Sequence, residues 1–408
     1  MREQQPELII LDNGLRLVHL HQRGAGAGFF GVAVRAGSAN EAEGKYGLAH
    51  FVEHTIFKGT AKRSPWHVIN RMEAVGGELN AFTTKEETVV YSIFPSGSAA
   101  RAIELIADLA TGSRFPQKEL DKEREVVIDE INSYRDTPSE AIYDDFEELA
   151  YAGTPLAHNL LGTPGSVRAH GSDDCRRFLH DYNTAPNMVA FYSGPQSASR
   201  IAPLVGRHFA ALNVHPAEHT PQEQYTPAHF DSTVTIDSHQ CHCLLGAGVP
   251  GLYSDRRHAV SLFANIIAGP GMNSLLNVEL RERRGLVYSV EASTAMFTGG
   301  GLLNVYFGCD PDDSARCRRL CNDVFAGIAD GSSFSALKLA KAKKQYLGQM
   351  SIAGENRENR IMALARATLF RGKILTDSEI CEAIEAVGPD DIRALASEMT
   401  GASCLTFK

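Results

Sequence analysis

His50-Phe51-Val52-Glu53-His54 is the segment whose residue types and spacing could carry chemistry. On an α-helix His50 and His54 point about 40° apart, so both imidazoles can reach one metal ion. Glu53 lies about 60° from His50 and borders the same face. A carboxylate placed there can take the proton of a water whose pKa zinc has brought to around 7. The order His-x-x-Glu-His is the inverted zinc-peptidase motif. A His pair at this spacing is also an ordinary structural feature of helices, but here the flanks Gly47-Leu48-Ala49 and Phe57-Lys58-Gly59-Thr60 extend the match. A catalytic zinc also needs a third protein ligand and an open position. Glu123 and Glu130, seven residues apart, share a helix face, and periodicity does not choose between them.

Apolar periodicity supplies the elements that would hold these residues. Helices are expected over Tyr46–Phe57, Pro65–Val75, Ser98–Ser113, Pro116–Tyr134 and Ser139–Tyr151. Strands are expected at Leu15–Leu20, Phe30–Arg35, Glu78–Thr83 and Glu87–Phe94. The stretch 209–232 carries Pro216, Pro221 and Pro227 with little periodicity and reads as a linker. Either side of it the pattern repeats. Phe57-Lys58-Gly59 and Ile267-Ala268-Gly269 are offset by 210, Pro95 and Pro311 by 216, and Phe115 and Phe334, like Tyr151 and Phe370, by 219. An offset that grows and never reverses is the mark of a duplicated unit with small insertions. The fold class expected is α+β: two homologous α/β-sandwich domains, each a mixed or antiparallel sheet with helices on one face, at 1–208 and 233–408. At these offsets Val260, Phe263 and Ala264 stand opposite His50, Glu53 and His54, while Ala342 and Gln349 stand opposite Glu123 and Glu130. The zinc site is therefore expected in the first domain alone.

Composition narrows the class. The 408 residues carry a formal charge of −9, which speaks against nucleic acid as a partner. The chain has no apolar run of membrane-spanning length and no signal-peptide pattern at its start, so a cytoplasmic location without membrane contact is expected. The eight cysteines all lie at or after Cys175, so a metal at the His motif must rest on His and carboxylate. Four potential ligands crowd into His239-Gln240-Cys241-His242-Cys243, but strand alternation would send neighbours to opposite faces, so no metal site is expected there.

Together the His-x-x-Glu-His helix, the Glu123–Glu130 helix, Gly76-Gly77-Glu78-Leu79-Asn80-Ala81-Phe82-Thr83 and Arg281-Glu282-Arg283-Arg284-Gly285-Leu286-Val287-Tyr288 resemble the pitrilysin family of zinc peptidases. That family includes insulin-degrading enzyme and the mitochondrial processing peptidase, and the likeness spans nearly the whole chain. The resemblance implies one Zn2+ per chain, held by His50, His54 and Glu130, with Glu123 orienting a ligand imidazole and Glu53 as general base. It implies an edge strand at Asn80, Ala81 and Phe82 that binds substrate by main-chain hydrogen bonds. It further implies that Arg281 and Tyr288 stabilise the oxyanion. Substrates would be peptides or unfolded segments. Relatives of this length pair, so a homodimer is expected, with a heterodimer containing an inactive homologue as the alternative. A processing peptidase for one precursor and a non-catalytic scaffold subunit are the competing functions. The second usually lacks the zinc motif that stands here.

Overall fold

A computed structural model describes residues 5–217 and 224–408 of the protein. The first half runs through strands β1 (Glu7–Ile10), β2 (Arg16–His21) and β3 (Ala27–Val34), then helices α1 (Leu48–Thr55) and α2 (Pro65–Glu73). Strands β4 (Glu78–Thr83) and β5 (Thr88–Pro95) precede helices α3 (Ala99–Gly112), α4 (Gln117–Arg135), α5 (Pro138–Ala150), α6 (Pro164–Ala169) and α7 (Ser172–Tyr182), strand β6 (Met188–Gly194) and helix α8 (Ala198–His208). The second half runs β7 (Asp231–Val234), β8 (Cys241–Val249), α9 (Arg257–Ala268), β9 (Val287–Phe297) and β10 (Gly300–Cys309). It closes with α10 (Ser314–Ala329), α11 (Ala336–Ala353), α12 (Arg357–Arg371), α13 (Asp377–Ala386), α14 (Pro389–Met399) and β11 (Ser403–Phe407). Of the expected linker, 218–223 lie outside the described residues, and Asp231 and Ser232 already belong to β7.

The duplication is visible in the strand orders. One sheet runs β1-β2-β6-β3-β5-β4 and the other β7-β11-β8-β10-β9. Apart from the extra β1, the two sheets have the same topology. In each, one pair near the edge is parallel, β2 with β6 and β7 with β11, and every other pair is antiparallel. The fold is α+β, as expected from segregated strand and helix patterns. The core of the first sheet is filled by Phe30, Val32 and Val90 under α3, which buries Ile103, Ile106 and Leu109.

The compact units differ from the chain-order halves. One unit comprises 5–132, 158–217 and 353–376, and the other comprises 133–157, 224–352 and 377–408. The expected boundaries at 208 and 233 therefore miss a reciprocal exchange: α12 belongs to the first unit and α5 to the second. The two exchanged segments are repeat counterparts, related by the offset of 219 that links Tyr151 to Phe370. Packing is the cause. α12 turns Ile361, Leu364, Ala365 and Leu369 inward and lies on β2, β3 and β6. It is anchored by Arg16 Nη1 donating to the Thr368 carbonyl at 2.9 Å and by the Arg366–Glu87 ion pair at 3.0 Å.

α5 lays Ile142, Phe146 and Ala150 on β8 and β11. Here a glycine is required by close approach. A Cβ on Gly246 of β8 would stand 2.5 Å from the Phe146 ring. Phe146→Ala should cost about 3–5 kcal/mol in denaturant unfolding of this unit, and Gly246→Ala about 1–3 kcal/mol by overpacking. The double variant should lose less than the sum, because the new methyl enters the space the ring leaves; strict additivity would remove the contact as the reason for the glycine.

Candidate active site

Helix α1 begins at Gly47, whose φ of 86° lies in the left-handed region, and a Cβ there would meet the Leu161 carbonyl oxygen at 2.5 Å. No residue at the helix terminus caps it through a side chain. Glu41 does so from outside: its carboxylate accepts from Gly47 N at 2.8 Å and from Ala49 N at 2.7 Å. His158 Nε2 stands 3.1 Å from the same carboxylate, and its ring stacks on Tyr46 at 4.1 Å. Burial raises the Glu41 carboxyl pKa, while His158 and the two amides favour its ionised form. A negative charge at a helix N-terminus is favourable in itself. These contacts fix the start of the helix one turn before His50.

His50 and His54 then emerge from one face with ring centroids 4.5 Å apart. Helix α4 crosses in front of them. Glu130 places its two carboxylate oxygens 3.7 Å from His50 Nε2 and 3.3 Å from His54 Nε2. Two turns earlier on α4, Glu123 is buried and meets His54 Nδ1 at 3.1 Å, while its other oxygen pairs with Lys58 Nζ at 2.7 Å. Among the described residues, His50, His54 and Glu130 alone form a cluster of metal-ligating groups, with candidate ligand atoms all within 4.8 Å of one another. Two donors each 2.0–2.1 Å from a tetrahedral zinc lie about 3.4 Å apart, and the two imidazole–carboxylate separations, 3.7 and 3.3 Å, suit that ion. Two imidazoles and one carboxylate also leave a fourth position open. The chain-specific detail is an asymmetry: His54 is oriented through Nδ1 by Glu123, whereas the buried Nδ1 of His50 has no partner among the described residues.

The electrostatics follow from burial and these carboxylates. Burial, helped by the neighbouring His54, lowers His50 to about 4. Burial opposes the His54 cation too, but Glu123 and Glu130 outweigh it and push His54 up to about 9. Glu53 is raised by burial, with the Thr83 hydroxyl and His54 pulling the other way. Thr83 ends β4, which lies against α1. Among the described residues β4 pairs only with β5 and is the edge of its sheet, so Asn80, Ala81 and Phe82 sit on an edge strand, with Phe82 exposed.

Seven of the expected residues fall into two groups, one in each unit. Glu53, His50, His54, Glu123 and Glu130 come together in the first unit. Arg281 and Tyr288 come together in the second, the guanidinium 5.8 Å from the ring centroid and Tyr288 exposed on β9. The His239–Cys243 cluster is not brought together. Cys241 and Cys243 are buried towards the core, while His242 Nδ1 pairs with the Tyr306 hydroxyl at 2.7 Å. In the second unit, the counterparts of His50, Glu53 and His54, namely Val260, Phe263 and Ala264, are buried apolar residues. Gln349, opposite Glu130, bonds Asn265 of α9 at 2.8 Å, an amide pair joining the helices that correspond to α1 and α4. Sequence reasoning missed Glu41, Lys58, Thr83 and His158. Lys58 stands in the extended motif, but nothing in its spacing announces a partner.

Two α+β units share one topology, and only the first bears the inverted His-x-x-Glu-His cluster, its counterpart in the second being apolar. Residues 18–164 match insulinase (peptidase family M16) and residues 171–346 match the peptidase M16 inactive domain. An uncharacterised zinc protease of Mycobacterium leprae is 31% identical over 394 residues, 95% of this chain and 88% of that protein. One of Bacillus subtilis is 28% identical over 388 residues, 95% of this chain and 94% of that protein. A protease from Helicobacter pylori of known structure superposes with a TM-score of 0.90 at 20% identity, covering 99% of each chain. A peptidase M16 inactive domain from Pseudomonas fluorescens gives the same TM-score at 18% identity, covering 99% of this chain and 97% of that one. The chain belongs to peptidase family M16.

The site sets a pH signature for the metal-free protein. His54, held at about 9 against about 6.5 unfolded, contributes stability that is fully present below pH ~6.5 and lost as pH rises to ~9. His50, held at about 4, acts on the other side, and its contribution is lost as pH falls below ~6.5. Thermal unfolding in chelator across this range should show His54→Gln flattening the alkaline limb. An unchanged alkaline limb would mean that the carboxylates do not hold the His54 proton.

Proposed function

We propose that the protein is a zinc-dependent endopeptidase acting on peptides or unfolded segments. The observation that carries this reading is the convergence of His50 Nε2 and His54 Nε2 on the Glu130 carboxylate, with Glu53 on the same helix face. His50, His54 and Glu130 would hold one zinc per chain. When bound, the ion supplies Lewis-acid chemistry, acidifying a water and polarising the scissile carbonyl.

The chain's own residues do the rest. Glu53 accepts the proton of the attacking water and delivers it to the leaving amine. Its raised pKa brings it nearer the working pH of such a shuttle. Glu123, itself held by Lys58, keeps His54 in one orientation and one tautomer. The free edge of β4 accepts an extended substrate as an added strand, so Asn80, Ala81 and Phe82 read the backbone and exclude chains that cannot unfold. Arg281 and Tyr288 are assigned as donors to the charge that develops on the carbonyl oxygen. Support for that role is the matching Arg and Tyr segment and the contact between the two side chains. A homodimer is the proposed assembly. Among the described residues no helix is long and apolar enough to cross a membrane.

Two substitutions separate binding from chemistry. Glu53→Gln should keep its zinc by metal analysis yet lower kcat on a quenched unstructured peptide by about 10²–10⁴-fold. Glu130→Gln should lose zinc in competition with a chelator. Full activity in the first variant, with contaminating proteases excluded, would sink the mechanism, and full zinc retention in the second would sink the ligand set.

A further inference from the structure

The second unit gathers thiols. Six of the eight cysteines line one side of its sheet: Cys241 and Cys243 on β8, Cys309 on β10, Cys404 on β11, and Cys317 and Cys321 one turn apart on α10. Register explains the grouping. Cys309 is directly opposite Cys241, and Cys243 is opposite Thr406, so Cys404 is its diagonal neighbour on the same face. A buried cysteine is by default a small apolar side chain, and for Cys317 and Cys321 nothing more is needed.

The Cys243–Cys404 pair has two further features. Its sulfurs are 3.6 Å apart, in van der Waals contact. Cys243 also forms part of the wall of a cavity of about 490 Å³, together with Arg318, Arg319, Lys408, Asp231 and Thr406. Each sulfur is therefore within reach of the other, and one of them borders a space that admits small solutes. Arg318 is bidentate to Asp231, at 2.9 and 2.6 Å, which fixes its cation beside the pair.

We infer that Cys243 and Cys404 form an oxidisable dithiol, reached through this cavity by small hydroperoxides, that closes to a disulfide between β8 and β11. The thiolate of the pair attacks one peroxide oxygen; an S–O bond forms, the O–O bond breaks, and the departing hydroxide is protonated to water. The second sulfur then attacks the sulfenic sulfur. The S–S bond forms, the S–O bond breaks, and the hydroxyl leaves as water with the proton of the second thiol. Two electrons pass from the dithiol to the peroxide. Closure brings the sulfurs from 3.6 Å to about 2.05 Å and, because the two residues are diagonal rather than opposite, draws β8 and β11 together locally.

The full chain carries its own reference thiols. Cys175, in the other unit, is buried and pushed up to about 12 by burial, while Cys381 is exposed. Hydrogen peroxide should convert Cys243 and Cys404 to a bridged peptide in an unreduced digest, two mass units lighter and restored by dithiothreitol. This should proceed at least about tenfold faster than any oxidation of Cys175. In Cys404→Ala the loss of two mass units should disappear. The inference is overturned if both thiols stay free to alkylate, in denaturant, after Cys381 is fully oxidised. It is equally overturned if the bridge forms between Cys241 and Cys309 instead, or if Cys404→Ala still loses two mass units. The wild-type digest alone decides the matter should the variant fail to fold.

Discussion

Two imidazoles and two carboxylates held against each other across a pair of helices set the demands on everything around them. Drawing His50, His54 and Glu123 out of water is unfavourable unless each finds a partner, while Glu130 keeps one side to solvent. The chain answers with a relay: Lys58 on Glu123, Glu123 on His54, and His54 and His50 on Glu130. The relay works only if α1 and α4 are fixed in rotation and in height. Glu41 and His158 fix the start of α1, and the Arg124 guanidinium, bonded to the His170 carbonyl at 2.6 Å, ties α4 to the segment before α7. The scaffold around the site is thus a device for holding two helices in register.

The second unit shows what happens when that demand is lifted. Strand order and the placement of the single parallel pair persist. The positions of His50, Glu53 and His54 relax to Val260, Phe263 and Ala264, which fill the core as apolar residues do elsewhere. The link between Asn265 and Gln349 on the corresponding helices is a neutral amide pair that demands no charge partner. Fold and chemistry have separated within a single chain.

Much of this was legible in the residues. The His pair announced a helix face, and the seven-residue spacing of Glu123 and Glu130 announced a second. Gly76-Gly77 before an alternating run marked β4, and the growing repeat offset foretold two sheets of like topology. What escaped has a common cause. Glu41 bonds backbone amides across a turn, so its role depends on chain path and leaves no periodic trace. β2 and β6 pair in parallel although Arg16 and Val189 are far apart in the chain. The destination of α5 and α12 escaped for the same reason, since helical periodicity reveals an apolar face but not the surface it meets.

That exchange has a bearing on how the polypeptide is made. Domains near the N-terminus usually fold first as the chain is synthesised. Here the unit with the His cluster draws one of its helices from residues 357–371, and those are translated after most of the second unit. Until they emerge, the face of β2, β3 and β6 that α12 covers has no partner. The His pair leaves the ribosome early, but the sheet behind it waits for nearly the whole message to be read.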